Sequence, residues 1–333
     1  MPLEAPGRVS LSAADALALS QRALAGAGCE PAETTILADH MLDAALCGYE
    51  YSGLPKILNV AEYRAQRPPS GPMQVRRETP MSTLLDGMGH NGMLTVFRAT
   101  ELAIEKASAA GFGLVGVNNT WMSGRGAYFV EMLARAGLIG IVAISSRHQV
   151  APPGAAKAAI GTNPISFGFP TQADPLLIDL GTSALMFTDL ALRARRGEPL
   201  PEGVAIDASG RPTQDPAAAL QGAVLSFGGY KGFALALAIQ ALGVLAGSGK
   251  DRDQSAGYLV LAIQPELMMP LAEYRRDLSQ ALARLRSTPL QEGVNEIRVP
   301  SDRSYAQRRF HLESGIEIDR HVHEALLRLA AGR

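Results

Sequence analysis

The sequence predicts a mixed α/β (α+β) protein of more than one domain, and three observations carry that prediction. The N-terminal stretch repeats the three- and four-residue apolar spacing of amphipathic helices. Past residue 80 the pattern changes to short apolar runs of strand length. These runs and the helices between them do not alternate strictly, as βαβ units would. With 333 residues, 47% hydrophobic and 19% charged, the chain can bury more than one core, so two or three domains are expected.

SLSAADALALSQRALAGAG opens on a Ser that can cap a helix and closes on glycines, and EPAETTILADHMLDAALCG repeats the pattern, so residues 10–66 read as helical. The Pro-rich passage RAQRPPSGPMQVRRETP, residues 64–80, cannot sustain a helix and reads as a domain crossing. MSTLLDGMGHNGMLTV leads into a helix over 97–109, and GFGLVGVN is a buried strand. A helix over 127–136 then leads to a second such strand, GLIGIVAIS. PISFGFP and PLLIDLG are strands joined by a turn at TQAD.

Residues 193–222 form a polar excursion with turn signals in DASG and RPTQDP, expected on the surface beside a site. GFALALAIQALGVLAGSG, residues 232–249, lacks charge over about 18 residues, near the minimum for crossing a bilayer. Gln240, the glycines and the Lys-bearing loop before it mark it instead as a helix buried in a core. GYLVLAIQP reads as a strand, LAEYRRDLSQALARLRS as an amphipathic helix, NEIRVPSDR as a strand ending in a loop and HVHEALLRLAAGR as a closing helix. The expected domains are residues 1–75 joined by the C-terminal helix 310–333, then 76–120 with 255–309, and 121–254.

Thirty-one Lys plus Arg against 32 Asp plus Glu give a net charge of -1, without a block of like charge, which argues against nucleic acid or a membrane surface as partner. The N-terminus lacks the pattern of a signal peptide, so the cytoplasm is the expected compartment. Cys29 and Cys47 lie in apolar, helix-like sequence and read as inert thiols. No metal site is expected; His321 and His323 stand two apart, which is the wrong spacing for one helix face.

Four loops collect polar and Gly residues between apolar runs: GYEYSGLPK (48–56), NNTWMSGR (118–125), GTNPISFGFP with LIDLGTS (161–183) and SFGGYKGFA (226–234). Lys231, between glycines that allow close backbone approach, offers a point charge to a pyrophosphate, and the helix after it offers free N–H groups. A solvated Lys in a capping turn is the alternative. Asp179, before Gly-Thr-Ser, reads as a site residue or a turn cap. A dinucleotide fingerprint GxGxxG is absent, because the glycines of GFGLVG lie in or before the strand.

The stretches GLIGIVAISS, IGTNPISFGFP, LIDLGTS, LPEGVAIDASGRPTQDP, SFGGYKGFALALAIQALGVLAG and EIRVPSDR stand in an order and spacing that resembles the malate/L-lactate dehydrogenase family lacking the Rossmann fold. The resemblance spans about residues 10–330. It implies a homodimer, a largely non-parallel sheet in the cofactor domain, NADPH or NADH as cofactor and a small-molecule carboxylate as substrate. The cofactor positions carried over are Ser146, Thr162, Asp179, Leu180, Gly181, Lys231, Gly232, Ser301 and Asp302.

Two departures stand out. The family's Ser-His-Gly is replaced by Tyr51-Ser52-Gly53, and its second His by Met122. Met122 cannot transfer a proton, and with Trp121 it softens the pocket. Tyr51, Ser52 and Asp179 are the candidate catalytic groups; Lys56, Thr120, Met122 and Arg125 the substrate-binding ones. Lys56 falls where the family has a carboxylate-pairing Arg, and is expected to lower the Tyr51 pKa. His148 is a candidate replacement imidazole.

A ketone acceptor needs a proton donor worth roughly 10²–10⁴-fold in rate, whereas a cyclic iminium already carries its proton. The expected reaction is therefore hydride transfer to a carboxylated cyclic imine of the Δ1-pyrroline/piperideine-2-carboxylate type, with a 2-oxo acid second. A non-catalytic cofactor-binding relative and a redox-neutral reaction, such as elimination or isomerisation, are the rivals.

Overall fold

A computed structural model describes residues 7–249 and 256–332. The chain opens with strand β1 (Arg8–Leu11), then helices α1 (Ala13–Gly26), α2 (Pro31–Leu46) and α3 (Lys56–Gln66). Ser12 caps α1 by accepting from the Asp15 N–H, and Pro31 starts α2 where no N–H is needed. Leu19, Leu24, Leu37, Met41, Leu54 and Ile57 form the core between these helices.

Next come β2 (Gln74–Glu78), β3 (Ser82–Asp86), α4 (Gly92–Ala110), β4 (Phe112–Asn118), α5 (Gly126–Arg135), β5 (Ile139–Ile144), β6 (Val150–Ala151), β7 (Ile165–Phe169) and β8 (Leu176–Leu180). The helix expected from residue 97 starts five residues earlier, because the Asn91 side chain caps it at the Met93 N–H. Several strands lie in stretches not read as strands. Of these, β2 falls inside the expected domain crossing and is exposed throughout, so it shows no alternation to read.

The polar excursion holds part of α6 (Phe187–Arg196), then β9 (Ala205–Ile206) and α7 (Pro216–Gln221); β10 (Ala223–Leu225) follows it. They precede α8 (Tyr230–Leu245), β11 (Tyr258–Ile263), α9 (Leu271–Arg286), α10 (Asp302–Ser314), β12 (Ile316–Asp319) and α11 (Arg320–Ala330). Residues 295–299, read as a strand, are irregular chain, and α10 begins just past them.

The main sheet has the order β2-β3-β4-β11-β5-β7-β8, and only the β3–β4 pairing is parallel. The largely non-parallel mixed fold is thus as expected. Strands from both sides of residue 120 share this sheet, and the boundary expected between 254 and 255 lies outside the described residues. At the other end of the chain, β12 pairs with β1, and Leu326 of α11 joins the helical core.

One expectation needs correction. Helix α8 buries only a stripe, Gly232, Ala236, Ile239 and Gly243, and leaves Leu237, Val244 and Leu245 more than half exposed. Apolar on all sides, it presents a bare face because a single chain covers only one side of it. Among the described residues no helix is long and apolar enough to cross a membrane.

The helical unit is fastened to the sheet by a chain of charges. Arg125, before α5, lies 2.7 Å from Asp43 of α2; Arg308 of α10 lies 2.7 Å from Asp43 and 2.6 Å from Glu131 of α5. Burial pushes Glu131 up, but hydrogen bonds and charge from Arg308 and Arg135 win and hold it below the usual range. Removing one partner strands buried charge, so Arg308→Met is expected to lower the urea unfolding free energy by about 3–5 kcal/mol. A loss below about 1 kcal/mol would show that the network is not a fastener.

Candidate active site

Four loops meet beside the C-terminal end of β8. Thr182 donates both its N–H (2.8 Å) and its hydroxyl (2.9 Å) to the Thr162 carbonyl, and the Phe227 N–H donates to the Thr182 carbonyl at 3.1 Å. The Ser146 N–H donates to Asn163 Oδ1 at 3.0 Å, and its hydroxyl lies 3.3 Å from that of Thr162. The Asn163 amide donates to the Ala236 carbonyl and to Gln240 Oε1 of α8, which gives that buried-side polar residue its partner.

The loop into α8 is built for close approach. Gly228 and Gly229 adopt φ of 54° and 60°, and a Cβ on Gly232 would stand 2.1 Å from the Phe227 carbonyl oxygen. Lys231 is exposed at this helix start. The Ser183 and Ser226 hydroxyls, on paired backbone segments, are buried without a hydrogen-bond partner. The N–H groups of Lys231 and Gly232 are taken by the Gly228 and Phe227 carbonyls, so the unsatisfied hydroxyls and the Lys231 ammonium are the groups here that suit a dinucleotide pyrophosphate. Ser146, Thr162, Gly181, Lys231 and Gly232 therefore share one neighbourhood, and Leu180 adjoins it.

Ser301 and Asp302 do not join it. The Ser301 hydroxyl accepts from the Leu177 N–H at 3.1 Å, three residues back along β8 from Leu180, or about 10 Å at the usual strand rise. Asp302 pairs with Arg286 at 2.8 Å. Both line a separate cleft of about 380 Å³, with Asp174 and Arg309 paired across it.

The second half of the site comes from the helical unit and the loop between β4 and α5. Residues Glu50–Ser52 form one 3-10 turn, anchored by Arg8 to Glu50 at 2.7 Å. The Arg125 and Arg303 guanidiniums both lie over the Tyr49 ring, at 5.3 and 5.4 Å, and Arg303 has no ion pair among the described residues. This turn presents Tyr51 beside the Ser52 hydroxyl, within electrostatic range of Asp179 and Asp189.

The expectation that Lys56 draws the Tyr51 phenol down is reversed. Burial, reinforced by Tyr49, pushes it above its ordinary 10, against the Ser52 hydrogen bond. The phenol is thus protonated through neutral pH. Lys56 opens α3, is pushed below its ordinary value by burial, and has no ion pair among the described residues. Tyr63 lies seven residues on, along the same helix face, and stacks on Trp121 at 3.8 Å, so this face looks toward the Met122 loop.

That loop is strained: Asn119, Met122 and Gly124 all have left-handed φ, of 51°, 53° and 73°. Thr120 is tied to the His90 carbonyl at 2.8 Å and to Thr95 at 2.9 Å. The Arg125 guanidinium is taken by Asp43. Asp179 accepts from Ser166 (2.8 Å) and from the Ala127 N–H (2.9 Å), capping α5 and joining the two halves.

His40 is the residue that sequence reasoning missed. It sits in the apolar run of α2, where only its polarity marks it. Its Nε2 accepts from the Arg125 N–H at 2.9 Å, and a Cβ on Gly124 would stand 2.2 Å from it. Tyr128 and Phe129 pack on the ring at 4.6 and 5.1 Å. Burial, with Arg125 adding to it, pushes His40 down to about 3, so it is a neutral acceptor. His148 is exposed. Among the described residues no group of three or more His, Cys, Asp or Glu could hold a metal ion.

The largely antiparallel sheet, with polar and Gly-rich loops gathered at the end of β8, is not a Rossmann arrangement. The comparisons agree. The family model for malate/L-lactate dehydrogenase matches residues 11–327, and the chain belongs to that family. It is 34% identical to the L-sulfolactate dehydrogenase of Methanothermobacter thermautotrophicus over 309 residues, 89% of each chain. It is 32% identical to the Delta(1)-pyrroline-2-carboxylate reductase of Pseudomonas fluorescens over 327 residues, covering 94% of this chain and 96% of that one. A dehydrogenase structure from Sinorhizobium meliloti superposes with a TM-score of 0.89 at 29% identity, covering 97% and 98% of the two chains. The protein is a nicotinamide-dependent oxidoreductase with the fold of this family.

The depressed His40 pKa fixes a sign. The folded state refuses a proton that the unfolded chain takes near pH 6.5, so this stability is present above 6.5 and is lost as pH falls toward 3. Between pH 6.5 and 5 the loss is roughly 2 kcal/mol from this group. His40→Gln keeps an acceptor and is expected to flatten that part of the urea-unfolding pH profile. An unchanged slope would contradict the assignment.

Proposed function

We propose that the protein reduces a small cyclic imine bearing a carboxylate, of the Δ1-pyrroline- or Δ1-piperideine-2-carboxylate type, in preference to a 2-oxo acid. The observation that carries this reading is that Ser52 and Met122 hold the expected imidazole positions; among the described residues nearby, His40 is buried and neutral, His90 is turned to the Gly71 carbonyl and Glu33, and His148 is exposed. The bound cofactor, NADPH or NADH, supplies hydride. Ser146, Thr162, Asp179 with Leu180 and Gly181, and Lys231 with Gly232 are the residues proposed to hold it.

Lys56 pairs with the substrate carboxylate, Trp121 and Met122 exclude water, and Tyr51 keeps its proton beside the acceptor. A developing alkoxide needs a donor of matched acidity, and a phenol shifted above 10 supplies one poorly at neutral pH. An iminium makes no such demand. The curated reductase relative acting on Δ1-pyrroline-2-carboxylate supports the same choice.

Further support comes from the chain itself for two coarser points. The exposed apolar face of α8 favours a homodimer in which a second copy covers Leu237, Val244 and Leu245. Two free, buried cysteines favour the cytoplasm.

Assays with NADPH and NADH against Δ1-piperideine-2-carboxylate and pyruvate are expected to show the imine reduced faster. Preferred turnover of pyruvate would overturn the preference. Ser52→His is expected to raise 2-oxo-acid reduction by about 10-fold or more, without a matching gain on the imine. Lys56→Met is expected to raise KM for the imine by about 100-fold, with less effect on kcat. Cofactor binding without turnover of any substrate, unaffected by these changes, would instead support the non-catalytic reading.

A further inference from the structure

A ring of contacts holds the Trp121–Met122 loop, and one link of it stands open. Arg64 of α3 donates to both carboxylate oxygens of Glu33 on α2, at 3.1 and 2.9 Å. Its chain neighbour Tyr63 stacks on Trp121 at 3.8 Å. The Trp121 indole N–H donates to the Gly89 carbonyl at 3.2 Å, and the Thr120 hydroxyl to the His90 carbonyl at 2.8 Å. His90 would close the ring back to Glu33. Its Nδ1 stands 4.0 Å from Glu33 Oε1 and is buried without a hydrogen-bond partner among the described residues.

The chemistry of the open link follows from the other ring nitrogen. His90 Nε2 lies 3.0 Å from the Gly71 carbonyl, which can only accept, so Nε2 carries the proton of the neutral imidazole. Neutral His90 thus turns a bare lone pair toward a carboxylate. A proton on Nδ1 converts that lone pair into a charged donor without giving up the Gly71 bond, and shortening the gap by about 1 Å makes a charge-assisted hydrogen bond.

The surrounding groups hold their charge near neutral pH. Burial pushes Glu33 up, but His90 and Arg64 outweigh it and keep it below the usual range, a carboxylate. Burial, then Glu33, pushes the Cys29 thiol up to about 12, so it stays protonated. Arg67 ends α3, and Asp86 is paired with Arg76 at 2.7 Å. His40, two turns along α2 from Glu33, is pushed down to about 3 by burial and stays neutral. Residues 118–124 carry no charge.

We propose that His90 is a positioning residue for the Trp121–Met122 loop and that its grip is set by one proton: protonated, it closes on Glu33 and fixes the loop against α3; neutral, it leaves the ring open and the loop slack.

Trp121 is the chain's one tryptophan, so its fluorescence reads the loop directly. The full chain is titrated from about pH 8 to 5.5, within the range where histidine ordinarily changes charge, with far-UV circular dichroism confirming the fold. One sigmoidal change in emission is expected. His90→Gln keeps an amide donor for the Gly71 carbonyl but cannot titrate, and is expected to lose that change. Glu33→Gln removes the charge that favours the proton, and is expected to move the midpoint to lower pH or abolish the change. A merely structural histidine would alter the emission level in these variants and leave its pH dependence in place. A flat titration of the folded parent, or a transition that survives in His90→Gln, overturns the proposal. Where a substrate is turned over, the parent's KM relative to that of His90→Gln is expected to rise as pH rises through the transition, with kcat less affected; the substrate's own titration cancels in that ratio. An unchanged ratio would contradict the positioning role.

Discussion

The guanidinium and backbone N–H of Arg125 join two units that Arg308 and the Tyr128–Asp39 hydrogen bond also tie together. The side chain enters Asp43 of α2, the N–H enters His40 of the same helix, and the residue itself begins α5 on the sheet. Every candidate substrate contact spans this seam: Tyr51, Ser52 and Lys56 come from the helical side, Met122 and Asp179 from the sheet side. The geometry of this seam therefore depends on a buried cluster in which each charge is paired with another, although Arg308 Nε and His40 Nδ1 find no partner.

The same seam explains how a strained loop survives. Three left-handed residues between β4 and α5 cost of order 1–3 kcal/mol for each non-Gly member, and the loop has no regular ladder of its own. Trp121 stacked on Tyr63, Thr120 tied to His90 and the His40 contact over-determine its path. A backbone held this firmly fixes where Met122, a residue without acid–base chemistry, packs against the helical core. Under the proposed function this rigidity serves shape and exclusion of water.

Much of the architecture was legible in the sequence, and the exceptions share a cause. Buried strands such as GFGLVGVN and GYLVLAIQP announce themselves because both faces are covered. The edge strand β2 is exposed on every residue and leaves no pattern. The run NEIRV looks like a strand but finds no partner, and α10 after it is polar around its circumference, so periodicity was silent. Among candidate site residues, Ser146, Thr162 and Gly181 come together because hydrogen bonds link their loops in space. Ser301 and Asp302 went elsewhere because their loop follows α9 rather than the cradle. His40 was hidden in a helix whose other residues explain its presence, and the commitment of Arg125 to Asp43 requires knowing which helix faces which loop.

The account stands on the cradle formed by residues 146, 162–163, 181–183 and 226–232 binding a nicotinamide dinucleotide. Fluorescence titration of the reduced dinucleotides with the purified chain tests this most directly, with Gly232→Val as the partner variant, since its side chain would collide with the Phe227 carbonyl. The predicted result is saturable binding at one site per chain, weakened at least about tenfold in a variant that remains folded. Absence of binding by the folded parent chain, or equal binding by the variant, would contradict it.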